Sequence, residues 1–366
     1  MWRTINLTVI AFVLACLSFI PGHAGLYEAD EAYARGDYRT AADELLRLSE
    51  RGVADAMYRL AGLYEFGLGI EKDEAQAILW LRRAANSGLV EARVWLGAKL
   101  HRGDGVEQDH AQAYSLFLSS ARQGSGFGQY MVATYLWNGL YVKKQRQAAV
   151  KWMIRAAESG FSQAQFTIGK MYHEGSGVGK DMEAAIMWYR RAALKDHVDA
   201  QRRLGLLYHA GKEVNKDIQA AIHWLARAVG NEDAVSATHL GIIYAKGNGV
   251  QRNKRRALDW LSRAANLGDA TAVSWIWWIL VPYSKEEQTK AGGLDAAAYG
   301  RIAARVVEYL DIEPFREFVS RFISTKGASD QSKIVDQILG LRNRLIPHLR
   351  QEVTRYGERF KTTKSP

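Results

Sequence analysis

Apolar positions along most of the chain follow helical spacing, and the helices they predict come in pairs. A small residue is followed four positions later by an aliphatic and eight positions later by an aromatic or leucine, as in Ala56, Leu60, Tyr64 and in Ala164, Ile168, Tyr172. Spacings of four and eight stack such side chains on one helical face. A glycine-bearing polar turn comes next. A second apolar run then carries alanine, tryptophan and a small pair, as in Ala185, Trp188 and Ala192-Ala193.

The whole pattern recurs with a period of 36 residues from Ala56 to Ala272. Gly67, Gly103, Gly139, Gly175, Gly211 and Gly247 close the first helix of each unit, where a residue tolerant of the left-handed backbone makes a C-terminal cap. Two residues on, Gly69, Gly105, Gly177 and Gly249 recur, replaced by Tyr141 and Glu213 in two units. Asp73, Asp109, Asp181, Asp217 and Asn253 then stand where a second helix needs an N-cap, with Gln145 the exception. Gln76 and Gln112, three residues after their caps, predict reciprocal capping boxes. Alanines on both helices allow close approach, and the tryptophans fill the space between one unit and the next.

The stretch "EGSGVGKD", Glu174 to Asp181, carries glycines and a lysine ahead of a helix, the ingredients of a phosphate cradle. It is one copy of a turn that recurs as "FGLGIEKD", "RGDGVEQD" and "KGNGVQRN". Glu174 stands where a P-loop needs its first glycine, and Asp181 where it needs Ser or Thr. It reads as a turn between helices, not a nucleotide site.

These residues together resemble the Sel-one-like repeat family, a relative of the tetratricopeptide repeats, whose units read roughly A-x3-LG-x2-Y-x2-G-x-GV-x2-D-x3-A-x2-W-x3-AA-x2-G. The Ala164–Gly211 stretch matches nearly residue for residue, and six full units cover residues 56–271. The resemblance implies an all-α fold, an α-solenoid of antiparallel helix pairs with a concave inner surface, and a role in holding other proteins together.

The flanks differ from the repeats. Residues 1–24 combine Arg3, an apolar run from Ile5 to Ile20, and Gly22-His23-Ala24 ahead of a cut, the layout of a secretory signal peptide. The only cysteine, Cys16, lies there, with Leu14 where a lipoprotein box has a smaller residue. Residues 26–55 predict a tetratricopeptide-like helix pair turning at Gly36-Asp37-Tyr38. Residues 272–366 predict a helical cap over the face of Trp275, Trp277 and Trp278, built from Leu294–Leu310, Pro314–Ser324 and Asp330–Phe360. Its end, Leu341 to Pro366, carries seven Lys/Arg against two Glu. An exported chain without a mature cysteine or sequon points to a bacterial envelope, the periplasm first, with secretion or membrane anchoring as alternatives.

Composition changes little in this picture. At 48% apolar and 24% charged the chain is globular, and its formal charge of +10 reads mainly as solvated helical surface. Nucleic acid is excluded as a partner of an exported chain. Membrane contact is confined to the signal region or the basic tail. No HExxH or other metal-ligand spacing and no nucleophile elbow occurs, and nothing marks a pair among the many carboxylates as special, so neither an enzyme, a cofactor nor a metal is expected. His101, His173 and His209 share one repeat position near a helix end and read as surface histidines favoured by the helix dipole.

Function in a repeat chain is expected where the period is broken. Tyr58, Trp95, Tyr130, Trp137 and Phe166 are aromatics at non-consensus positions of first helices, and Tyr141, Lys143 and Lys144 sit in an atypical turn. They are candidate anchors for a protein partner in the cell envelope. The alternatives are that the rings pack between neighbouring helices, or that they bind peptidoglycan or another polysaccharide.

Overall fold

In the computed structural model the described residues are 21–269, with Thr271, Ala272, Trp275, Ile276 and Ile279. The predicted signal segment up to Ile20 and the C-terminal cap from 280 onward lie outside them. Every regular element among the described residues is an α-helix, and the fold is a helical-repeat solenoid. Two helices precede the repeats, α1 (Pro21–Ala34) and α2 (Tyr38–Glu50). Asp37 caps α2 by accepting the Thr40 N–H at 3.2 Å.

Six hairpins follow: α3 (Ala54–Phe66) with α4 (Glu74–Asn86), α5 (Val90–Arg102) with α6 (His110–Arg122), and α7 (Gly126–Asn138) with α8 (Arg146–Glu158). Then come α9 (Ser162–Glu174) with α10 (Met182–Leu194), α11 (Val198–Ala210) with α12 (Ile218–Gly230), and α13 (Ala234–Lys246) with α14 (Lys254–Asn266). Each helix has 13 residues and each hairpin begins 36 residues after the last. Ala272 and Ile276 begin the next helical segment and pack into the same apolar cluster as Leu261.

The turn explains the regularity. The six closing glycines lie at φ of +61° to +72°, and their N–H groups bond back to carbonyls of the preceding turn. The N-cap carboxylates accept N–H bonds from the start of the second helix, for example Gln112 N–H to Asp109 at 2.9 Å and Ala220 N–H to Asp217 at 2.9 Å. Gln145 makes no side-chain cap. The predicted reciprocal capping boxes do not form, because the N-cap backbone N–H is already used. Asp73 donates to the Tyr64 carbonyl at 3.0 Å and Asp109 to the Leu100 carbonyl at 3.0 Å. The same bond closes all six hairpins, through Gln145, Asp181, Asp217 and Asn253 in the others. The Gln112 side chain instead accepts from Arg82 at 3.0 Å.

A second ladder joins consecutive repeats. The Gln129, Gln165 and Gln201 amides donate to the Ala121, Ala157 and Ala193 carbonyls at 3.0–3.3 Å, and Arg93 makes the equivalent bond to Ala85 at 3.0 Å. Each adds a second hydrogen bond to a helix-end carbonyl that already accepts the N–H three residues on. The chain divides into two compact units, residues 1–188 and 189–366. In the first, Leu60, Leu96, Val132 and Phe117 are buried in one continuous core; in the second, Leu225, Leu240, Ile243 and Leu261 form another. No described helix is long and apolar enough to cross a membrane.

Candidate functional site

The residues that break the period fall in three places. On α3 and α5, Tyr58 and Trp95 meet edge to face with ring centroids 5.4 Å apart. They line an open pocket of about 390 Å³ with Val94, Ala98, Glu91 and Arg102. Both rings are half-buried, so each packs on its neighbour and still presents an edge to solvent. Burial and the nearby Glu91 carboxylate raise the Tyr58 phenol above its ordinary range. Lys99 lies 5.9 Å from the Trp95 ring centre, a cation–π arrangement.

On α7, Tyr130 and Trp137 border a second pocket of about 210 Å³, closed by Thr134, Met153, Lys170 and Met171. Trp137 lies across the next turn, where a β-carbon on Gly177 would come within 2.7 Å of the indole. Arg146 lies 5.6 Å from the centre of that indole. Tyr130 packs against Phe161 at 5.4 Å. Phe166 is half-buried on α9 and borders neither pocket.

The third place is the turn of Tyr141, Lys143 and Lys144. All three are exposed, Tyr141 by 63%. Tyr141 borders a pocket of about 520 Å³ that opens on the start of α6 and includes Arg82 and His110. Its ring is 6.4 Å from Tyr114. The eight candidates therefore do not converge on one spot. Tyr58 pairs with Trp95 and Tyr130 with Trp137, while the Tyr141 turn serves a separate pocket.

Reading the sequence alone missed the cluster behind that turn. Tyr135 is fully buried on α7, and its hydroxyl is 2.8 Å from His101 Nδ1 and 3.3 Å from His110 Nδ1. Tautomers complete the pair: the phenol donates to one neutral imidazole and accepts from the other. Burial pushes the Tyr135 phenol up to about 12, and burial with the neighbouring His110 and Arg102 holds His101 below its ordinary value. The expectation of surface histidines is corrected: His173 is buried and His101 half-buried, because the shared position faces the next repeat and not solvent. One repeat earlier the same joint holds a buried ion pair, Lys99 to Glu65 at 2.9 Å. Among the described residues no group of three or more His, Cys, Asp and Glu is arranged to hold a metal.

The Sel1 repeat profile matches residues 54–89, 90–125, 126–161, 162–197, 198–230 and 234–269, more than half of the chain. No curated protein matches it. Among solved structures it is similar to a Sel1 repeat protein from Oxalobacter formigenes, at 32% identity and a TM-score of 0.60, covering 66% of this chain and 98% of that one. It is also similar to c5321, a protective antigen of uropathogenic Escherichia coli with the SLR fold, at 25% identity and a TM-score of 0.64, covering 84% of this chain and 68% of that one.

Proposed function

Because the chain belongs to the Sel1 repeat family, we propose that it is an exported, non-enzymatic scaffold or regulator that docks a protein partner in the bacterial envelope. Sel1 repeat proteins generally mediate protein–protein interactions and are generally non-enzymatic. The observation that carries the reading here is the Tyr58–Trp95 pair. Two rings from the first helices of consecutive repeats form an apolar floor, with Glu91 and Arg102 at its edge. A buried aromatic anchor inside a polar rim is the arrangement that concentrates binding energy at protein interfaces. The export half of the proposal rests on Arg3 and the apolar run that follows it.

Site-specific photo-crosslinking in cells tests the docking. A probe at Trp95 or Trp137 is expected to give a discrete protein adduct, and one at the exposed Leu79 or Met187 of the second helices is not. Equal adducts at both sets, or none, would overturn the proposal; adducts with glycan alone would transfer it to polysaccharide binding. Mass spectrometry of the mature protein tests export. An N-terminus at Gly25 is expected, and an intact Met1 on protein confined to the cytosol contradicts it.

A further inference from the structure

We infer a second binding site, for an uncharged saccharide, in the pocket bordered by Tyr141 between the second and third repeats. It goes beyond partner docking and uses other residues. The first observation is the backbone. Tyr141 sits at φ +63°, in a slot where four of the other repeats carry glycine. A bulky residue in the left-handed region costs about 1–2 kcal/mol, and such strain is found where the side chain has work to do.

The second observation is that this turn has room for a side chain, as the Gly105 turn does and three others do not. At Gly69, Gly177 and Gly249 a β-carbon would run into Tyr38, Trp137 and Ile218 of the preceding helix pair, whereas at Gly105 it would only touch the Glu74 carboxylate at 3.6 Å. At the Tyr141 turn the neighbouring wall is the start of α6, and the space stays open as a cavity of about 520 Å³. That volume matches small-ligand sites rather than a water-sized defect.

The lining selects the ligand. Tyr141 offers an exposed ring, with Tyr114 tilted by 52° beside it, and an aromatic face suits the C–H face of a pyranose. Around it stand donors and acceptors in mixture: Arg82, Glu107, Asp109, His110 and Gln112. Arg82 and Gln112 are held to each other at 3.0 Å, which leaves a guanidinium edge and an amide as fixed donors. Two carboxylates against one guanidinium disfavour an anion. A single exposed ring among polar groups offers too little apolar surface for a hydrophobic peptide segment. Hydroxyl groups, which both donate and accept, suit such a lining.

Calorimetric titration of the full chain with tetrasaccharides tests this, using β-1,4-linked N-acetylglucosamine and glucose as neutral probes and tetragalacturonate as the acidic counterpart. At least one neutral probe is expected to bind, with tetragalacturonate weaker. Tyr141→Gly restores the turn residue of four other repeats and is expected to weaken binding about ten-fold or more, roughly the loss of one stacking contact. Tyr141→Phe keeps the aromatic face and is expected to retain binding. Absence of binding by both neutral probes overturns the site. So does full-strength binding by Tyr141→Gly, or preference for the acidic sugar. Crosslinking at Trp95 and Trp137 reports on the docking surface separately, so either reading can fail without the other.

Discussion

The joint between the second and third repeats and the joint between the fifth and sixth use the same backbone and fill it differently. Where the first has His110, Tyr114, Tyr135 and Tyr141, the second has Ile218, Ile222, Ile243 and Gly249. The aliphatic joint is close-packed: Ile218 and Ile243 belong to one buried cluster, and the turn glycine lies against Ile218. The aromatic joint ties its rings together through the Tyr135 hydroxyl and leaves a cavity at its edge. The hairpin-closing bonds and the glycine C-caps are indifferent to this exchange, since they are made by backbone atoms. The frame thus tolerates a change of chemistry at a joint, provided that the slots on both sides of it change together.

Exchanging the turn residues tests that dependence most severely. Gly249→Tyr is expected to cost about 3 kcal/mol or more, combining left-handed strain with overpacking against Ile218. Tyr141→Gly is expected to shift stability by less than about 1 kcal/mol, because relief of strain offsets the added freedom of the unfolded chain. Urea unfolding of the two variants decides; similar costs would show that the joints do not differ in room.

The Lys99–Glu65 pair offers a smaller contrast. Lys99→Leu is expected to cost about 2 kcal/mol, since the side chain is buried and Glu65 loses its partner. Adding Glu65→Ala, which copies the apolar pairing of Ala245 with Ile279 at the same two repeat positions, is expected to recover most of the loss. If the double variant stays as unstable as the single one, the polar joint is not interchangeable with the apolar one.

The smallest effect expected is at the caps. Gln145→Asp supplies the side-chain acceptor that this repeat alone of the six lacks and is expected to add about 0.5–1 kcal/mol. Asp217→Ala removes one and is expected to cost about the same. Thermal melts that move in one direction for both would contradict the capping account.

The site was less legible than the frame. Tyr58, Trp95, Tyr130 and Trp137 stood out as aromatics off the consensus, and each borders an open pocket. Nothing local marked Tyr135 as a partner of His101 and His110, because the contacts join residues 34 and 25 positions apart. The paired Gln129, Gln165 and Gln201 were a usable signal: a glutamine kept at the 36-residue spacing on a buried helical face has to bond something.

The sequence by itself determined the helix lengths, the hairpin turns and the period. Those depend on caps, left-handed glycines and apolar spacing, all of which act within a few residues along the chain. Only the tertiary structure decided which side chains meet across a joint, that the capping boxes give way to hairpin-closing bonds, and that Tyr141 stands over a cavity while Gly249 stands over Ile218. Those outcomes depend on how much space two repeats leave between them, and that space is set jointly by side chains far apart in the chain.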